Sequence, residues 1–284
     1  MVLIYLALLA RILMAGYEKL VVKKLGHQSD SLSATFLFFS LATLFLLPCI
    51  FFVPFPQDFS FLRYALLSSF IYSIADLFYL KSLSEGEVSL VGPLYNINVF
   101  FVLVLTVLFL GEAFSLVKVL GILLLFYGAS FLNKQKNILF SLKALFQDPA
   151  CRWMIACSLM TAMGRTIDGF SVQKIHPIHY AFCLYVFISL FLFSYIFFTR
   201  KLKTTWRLLK QKTSAAVQSG GLNSLSYLCA LYTFTKLEVS VAEPISMLSV
   251  VVTVILAHFM FREKIKSRLL AAVIMILGAW LLFL

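Results

Sequence analysis

Residues Glu87–Phe101 read EVSLVGPLYNINVFF, and residues Glu238–Val252 read EVSVAEPISMLSVVV. Each copy sets a proline and several small polar side chains into a segment otherwise apolar enough for lipid. Aligning the copies fixes an offset of 151 positions, which also pairs Pro93 with Pro244 and Glu112 with Glu263. With one gap it pairs YGASFL (Tyr127–Leu132) with LGAWLL (Leu277–Leu282). The chain therefore carries an internal duplication, and the spans around these anchors decide how it is arranged.

Of the 284 residues, 62% are hydrophobic and 13% charged, too few polar groups to cover a water-facing surface. A helix crosses a bilayer with about 20 mostly apolar residues, because its backbone groups must be satisfied without water. Ten such stretches are predicted: Val2–Val22, Ser33–Val53, Phe61–Leu80, Ser89–Phe109, Phe114–Leu132, Cys151–Ser171, Tyr180–Thr199, Ala215–Thr235, Ser240–Phe261 and Ser267–Leu284. The fold class expected is an all-α membrane protein of ten transmembrane helices. The repeats expected are residues 1–135 and 136–284, five helices each. Five is odd, so the second repeat enters the membrane from the opposite side and the duplication is inverted. The first stretch carries Arg11 and lacks a small-residue cleavage pattern, so it reads as a mature helix rather than a signal.

The formal net charge of +12 does not point to nucleic acid, because its distribution follows the spans. Loops after odd-numbered spans hold 18 of the 24 basic residues and even-numbered loops hold Arg63, Lys118, Arg165, Lys174 and Lys236; Arg11 lies within the first span. Basic loops resist translocation, which places the odd loops in the cytoplasm and both termini outside. Compact loops suggest a bacterial cytoplasmic (inner) membrane. The five cysteines form no CxxC pair and no zinc-type spacing with histidine, so they read as small packing residues. No phosphate loop, GxSxG elbow or HExxH is present, which excludes ATP-driven work by this chain and leaves no cofactor expected.

With ten helices, a five-plus-five repeat, VSLVGPL and VSVAEPI opening the fourth and ninth spans, and LGE (Leu110–Glu112) and REK (Arg262–Lys264) closing them, the chain resembles the drug/metabolite transporter superfamily, EamA-like branch. The resemblance implies a bundle with a central cavity that exports or exchanges small metabolites. It also implies cytoplasmic termini, at odds with the basic-residue distribution, which is the orientation adopted. Independently, inverted repeats are a common device of secondary transporters, with the substrate near the midplane.

Ionisable groups deep in a bilayer cost roughly 2.5–3.5 kcal/mol each on insertion scales and mark partners or wet cavities. Arg11 lies midway along the first span, with Glu18 seven residues on, and reads either as a link between helices or as a substrate contact. Ser69, Tyr72, Asp76 and Tyr79 draw a stripe down the third span; at the repeat offset they become Gly220, Asn223, Tyr227 and Ala230. Asp76 reads as a proton acceptor or cation anchor, or as a static partner of Arg11. Tyr95 and Asn98 share a face of the fourth span, and their mates Ser246 and Ser249 share a face of the ninth. Glu243 has two readings: a capping box with Ser240, with Pro244 in the first helical turn, or a cavity-lining carboxylate. Arg165 and Asp168 are expected to form a local bridge near the end of the sixth span, and Glu112 and Glu263 to complement the helices that follow them. His176, His179 and His258 read as packing or loop residues.

The function expected is secondary transport of a small polar metabolite, an amino acid or related zwitterion, by alternating access around a midplane cavity. The substrate-binding residues expected are Arg11, Tyr72, Asp76, Tyr79, Tyr95, Asn98, Arg165, Asn223, Tyr227, Glu243, Ser246 and Ser249. Expected partners are the small-molecule substrate, membrane lipid, and a proton or counter-substrate. Two rivals stay open: a flippase of a lipid-linked substrate, and a membrane-embedded enzyme using Arg165, Asp168 and the His176–His179 loop.

Overall fold

The computed structural model describes residues 2–26, 28–85, 95, 97–132, 149–249, 251–253, 255–256 and 266–282. The described elements are helices: α1 (Val2–Gly26), α2 (Ser31–Leu46), α3 (Phe61–Glu85), α4 (Asn98–Leu110), α5 (Leu116–Leu132), α6 (Pro149–Ser171), α7 (Pro177–Phe198), α8 (Leu202–Gln211), α9 (Thr213–Phe234), α10 (Val239–Ser246) and α11 (Lys266–Leu281), with a 3₁₀ turn at Pro48–Phe52. Ten of them fall on the ten predicted spans, with α10 covering only the start of the ninth and α4 the later part of the fourth. The eleventh, α8, occupies what the sequence reading leaves as the basic loop Arg200–Lys212. The entry to the fourth span at 87–94, the REK motif with Glu263, and His258 lie outside the described residues.

Local chemistry sets the helix ends. The Asp30 carboxylate caps α2, accepting from the Ser33 amide at 3.0 Å and the Ser33 hydroxyl at 2.8 Å. Pro48 has no N–H to continue the helix, so α2 stops at Leu46 and the predicted extension to Val53 becomes 3₁₀. Gly111 closes α4 in the left-handed region at φ 68°. Ser31–Phe52, Phe61–Tyr79 and Pro177–Phe198 are long and apolar enough to cross a membrane by themselves. Helices α6 and α9 carry the buried polar residues Asp168 and Asn223.

The chain divides into two compact units, and neither coincides with a sequence repeat. Unit 1 is Met1–Ser73 with Ile167–Lys236, and unit 2 is Ile74–Thr166 with Leu237–Leu284. Each unit takes material from both halves of the chain, and the division falls inside α3 and α6.

In unit 1, α1 packs on α9, α9 on α2, and α2 on α7. The α2–α9 approach depends on Gly220, where a Cβ would sit 2.7 Å from Leu41 Cβ and 2.9 Å from the Ala42 nitrogen. Small residues bring helix backbones together in lipid, where water supplies no driving force between helices. In unit 2, α5 and α11 make the same kind of contact reciprocally. A Cβ on Gly121 would lie 2.9 Å from the Gly278 carbonyl oxygen, and one on Gly278 would lie 2.8 Å from that of Gly121.

Unit 2 also ties the turn after α4 to the start of α10. The Glu112 carboxylate accepts from the Val239 amide at 2.7 Å and the Ser240 amide at 3.0 Å. This corrects the expectation that Glu112 serves the helix following it: the backbone donors it satisfies are those of α10. The Lys118 ammonium completes the junction, pairing with Glu238 and donating to the Ala113 carbonyl at 2.8 Å and the Ser240 hydroxyl at 3.2 Å.

Candidate functional site

Two buried carboxylates organise the polar interior, one in each unit. In unit 1 the side chain of Asp168, on α6, is fully buried and is surrounded by hydroxyl groups. Its Oδ1 accepts from Ser68 at 2.9 Å and Tyr180 at 2.9 Å; its Oδ2 accepts from Tyr72 at 2.6 Å and Tyr227 at 2.7 Å. The donors come from α3, α7 and α9. Hydrogen bonds to a charged group are the stronger kind, and four of them supply the stabilisation that water withdraws on burial. Tyr72 and Tyr227, both expected to touch substrate, thus meet on Asp168. Tyr227 is further stacked on Tyr185, with ring centroids 5.2 Å apart.

Arg11, also in unit 1, donates from Nη1 to the Ser226 hydroxyl at 2.6 Å, joining α1 to α9. Asn223 lies three residues before Ser226 and so shares its face of α9; it is buried. The buried Nε of Arg11 and Nδ2 of Asn223 have no acceptor among the described residues.

Unit 2 holds the other carboxylate. Glu243, on α10, is 7% exposed, and its Oε1 accepts from Nε of Arg165, on α6, at 3.2 Å. Its Oε2 is buried and has no hydrogen-bond partner among the described residues. The capping-box reading is therefore overturned. Helix α10 starts at Val239, its first amides are taken by Glu112, and the Glu243 side chain is committed to Arg165. Pro244 lies beyond the first turn rather than in it, within the helix. There its missing N–H leaves a gap in the ladder, and the bonds that follow tighten to three-residue steps: Met247 N–H to the Pro244 carbonyl and Leu248 N–H to that of Ile245, each 3.0 Å. The break comes one turn after Glu243. Arg165 and Asp168, expected near a membrane surface, are both buried, and each has a partner on another helix.

Around this pair, unit 2 gathers several expected residues. The Tyr95 phenol lies within electrostatic reach of Arg165, Glu243, Tyr79 and Cys157. Its ring meets Tyr79 edge-on, centroids 5.6 Å apart. Asp76 acts electrostatically on Cys157, which packs with Ala75 and Met154 in the same cluster. Asn98 and Ser249 are buried. Ser246 donates its hydroxyl to the Ala242 carbonyl at 3.0 Å, which uses that donor within its own helix. The stripe expected from Ser69 to Tyr79 is divided: Ser69 and Tyr72 belong to unit 1, Asp76 and Tyr79 to unit 2.

Sequence reasoning singled out Asp168 but not its role, and missed Ser68, Tyr180 and Ser226. The only available signal was chemical: a carboxylate inside an apolar helix needs donors, and buried tyrosines and serines can provide them. At the loop end of unit 1, an open depression of about 610 Å³ is lined by Pro54, Gln57, Asp58, Lys174, His176 and His179 among others, and the expected site residues do not reach it. His176 caps α7 by accepting from the Ile178 amide at 3.3 Å, and His179 Nε2 lies 3.0 Å from the Pro54 carbonyl oxygen, so both have structural contacts.

The sequence profile of the EamA-like transporter family matches residues 2–134 and again residues 149–284. The chain belongs to the EamA-like transporter family. This EamA protein is therefore an integral membrane transporter of the drug/metabolite transporter superfamily, built as two helical repeats. A protein of known crystal structure shares its fold with a TM-score of 0.76 at 15% identity, covering 97% of this chain and 94% of that one. No curated protein matches the EamA chain in sequence.

Proposed function

We propose that this EamA-family protein is a secondary transporter of a small polar metabolite carrying an ammonium group, an amino acid or related zwitterion, and that Glu243 receives that group. The observation that carries the reading is the half-satisfied state of Glu243. A buried carboxylate oxygen without a donor is costly, and a substrate ammonium supplies the missing donor. The break in α10 beside it supports the same residue, because transporters commonly handle substrate at discontinuous helices. With no nucleotide motif in the chain, transport runs on a gradient or on exchange, by alternating access.

The test is counterflow into proteoliposomes against a labelled panel of zwitterionic amino acids, organic anions, organic cations and a phospholipid. Uptake of amine-bearing zwitterions, abolished by Glu243→Gln in protein that melts normally, is the expected result. Uptake confined to organic anions or to the phospholipid would contradict it.

A further inference from the structure

Helix α8 is a surface helix clamped at both ends by unit 1. At its start, the Lys201 ammonium pairs with Asp30 at 2.5 Å, and in its first turn the Thr205 hydroxyl donates to that of Ser33 at 2.9 Å. Burial pushes the Asp30 carboxyl up, but Lys201 and the Ser33 donors outweigh it and hold the group below its ordinary value. Just past its end, the Lys212 ammonium reaches the last carbonyls of α1, Lys24 at 3.0 Å and Leu25 at 3.2 Å, and the Ser29 hydroxyl at 2.9 Å. Thr205 and Leu208 are buried against this support.

The opposite face has no such support. Lys203, Trp206, Arg207 and Lys210 are spaced i, i+3, i+4 and i+7, so they occupy one side of the helix, and all four are exposed. Trp206 is 60% exposed. The Lys210 ammonium lies 5.4 Å from its ring centroid. From Arg200 to Lys212 there are six basic residues and no acidic one, and Lys203, Arg207 and Lys210 have no carboxylate partner among the described residues.

The position of the helix supplies the second observation. It follows directly on the aromatic, exposed end of α7, where Phe198 is 80% exposed. The chain turns there through Arg200 at φ 55°, with Lys201 N–H bonded to the Ile196 carbonyl at 3.0 Å. A lipid-facing helix end followed at once by a cationic face with one exposed tryptophan sits at headgroup level, where indole rings settle and basic side chains meet lipid phosphates.

We propose that the Lys203–Trp206–Arg207–Lys210 face of α8 is a binding surface for anionic phospholipid headgroups. Three cations meet the phosphates and Trp206 lies at the boundary with the acyl chains. The clamps to Asp30 and α1 hold this face at a fixed place on unit 1, so headgroup binding stabilises the folded transporter.

The test compares melting of full-length protein in micelles supplemented with phosphatidylglycerol or phosphatidylcholine. Wild type is expected to gain several degrees more from phosphatidylglycerol, and Lys203→Gln/Arg207→Gln/Lys210→Gln to lose that excess while melting normally in phosphatidylcholine. Should the triple variant fold poorly, Lys203→Arg/Lys210→Arg keeps the charge and must keep the excess. A separate reading uses Trp206 as the sole tryptophan after Trp153→Phe and Trp280→Phe: brominated phosphatidylglycerol, diluted in phosphatidylcholine, should quench it more strongly than equally diluted brominated phosphatidylcholine. Equal responses to the two lipids, an undiminished excess in the triple glutamine variant, or reproduction of the shift by inorganic phosphate alone would each overturn the proposal.

Discussion

Asp168 and Glu243 carry the same functional group in opposite states of satisfaction. Four hydroxyls from three helices saturate Asp168, whereas Glu243 has one oxygen on Arg165 and the other without a donor among the described residues. A saturated carboxylate holds helices in place; a half-satisfied one retains capacity for a ligand. Replacing Asp168 by Asn keeps two acceptor lone pairs and cannot serve four donors, so about 1–3 kcal/mol of stability should be lost. A thermal melt of purified Asp168→Asn checks this, and an unchanged melting temperature would remove Asp168 from the framework of unit 1. The polarity of Tyr72, Tyr227, Arg11 and Glu243 was legible in the sequence, since each interrupts an apolar span. Their partners were not. Tyr72 and Tyr227 reach Asp168 across 96 and 59 residues, and no spacing rule connects positions that far apart.

At the scale of elements, helices were legible where a 20-residue apolar run leaves no other way to satisfy the backbone. Their ends were less so. Pro48 converts the last turn of the predicted second span into 3₁₀, and Pro244 lies inside α10 rather than at its first turn. Helix α8 read as a loop because its charges hide the short pattern in which Thr205, Leu208 and, in part, Leu209 turn inward. Two close contacts between helices depend on glycine. Gly220→Ala places a methyl within 2.9 Å of the Ala42 backbone nitrogen, which α2 cannot yield without moving. Overpacking of this kind costs roughly 1–3 kcal/mol, and a melting temperature lowered by several degrees is the expected reading. Wild-type stability in that variant would mean that α2 and α9 adjust freely.

At the scale of the molecule, the repeat written in EVSLVGPL and EVSVAEPI is visible in sequence, while the compact units are not. Unit 1 and unit 2 each draw on both halves of the chain, and the divisions inside α3 and α6 have no mark in composition. Orientation rests on charge: with 18 basic residues in odd-numbered loops against five in even-numbered ones, we propose that α8 faces the cytoplasm. A single cysteine introduced at Gln211 in a background cleared of native cysteines should resist a membrane-impermeant maleimide in intact cells and react after permeabilisation; ready labelling from outside would reverse the orientation. We propose that Glu243, and not the carboxylate that binds unit 1 together, handles the cargo. The most direct test is amino-acid counterflow by Glu243→Gln in proteoliposomes, measured on protein whose melting matches wild type. No counterflow above that of empty liposomes is expected, and transport at the wild-type rate would remove Glu243 from the path of the cargo.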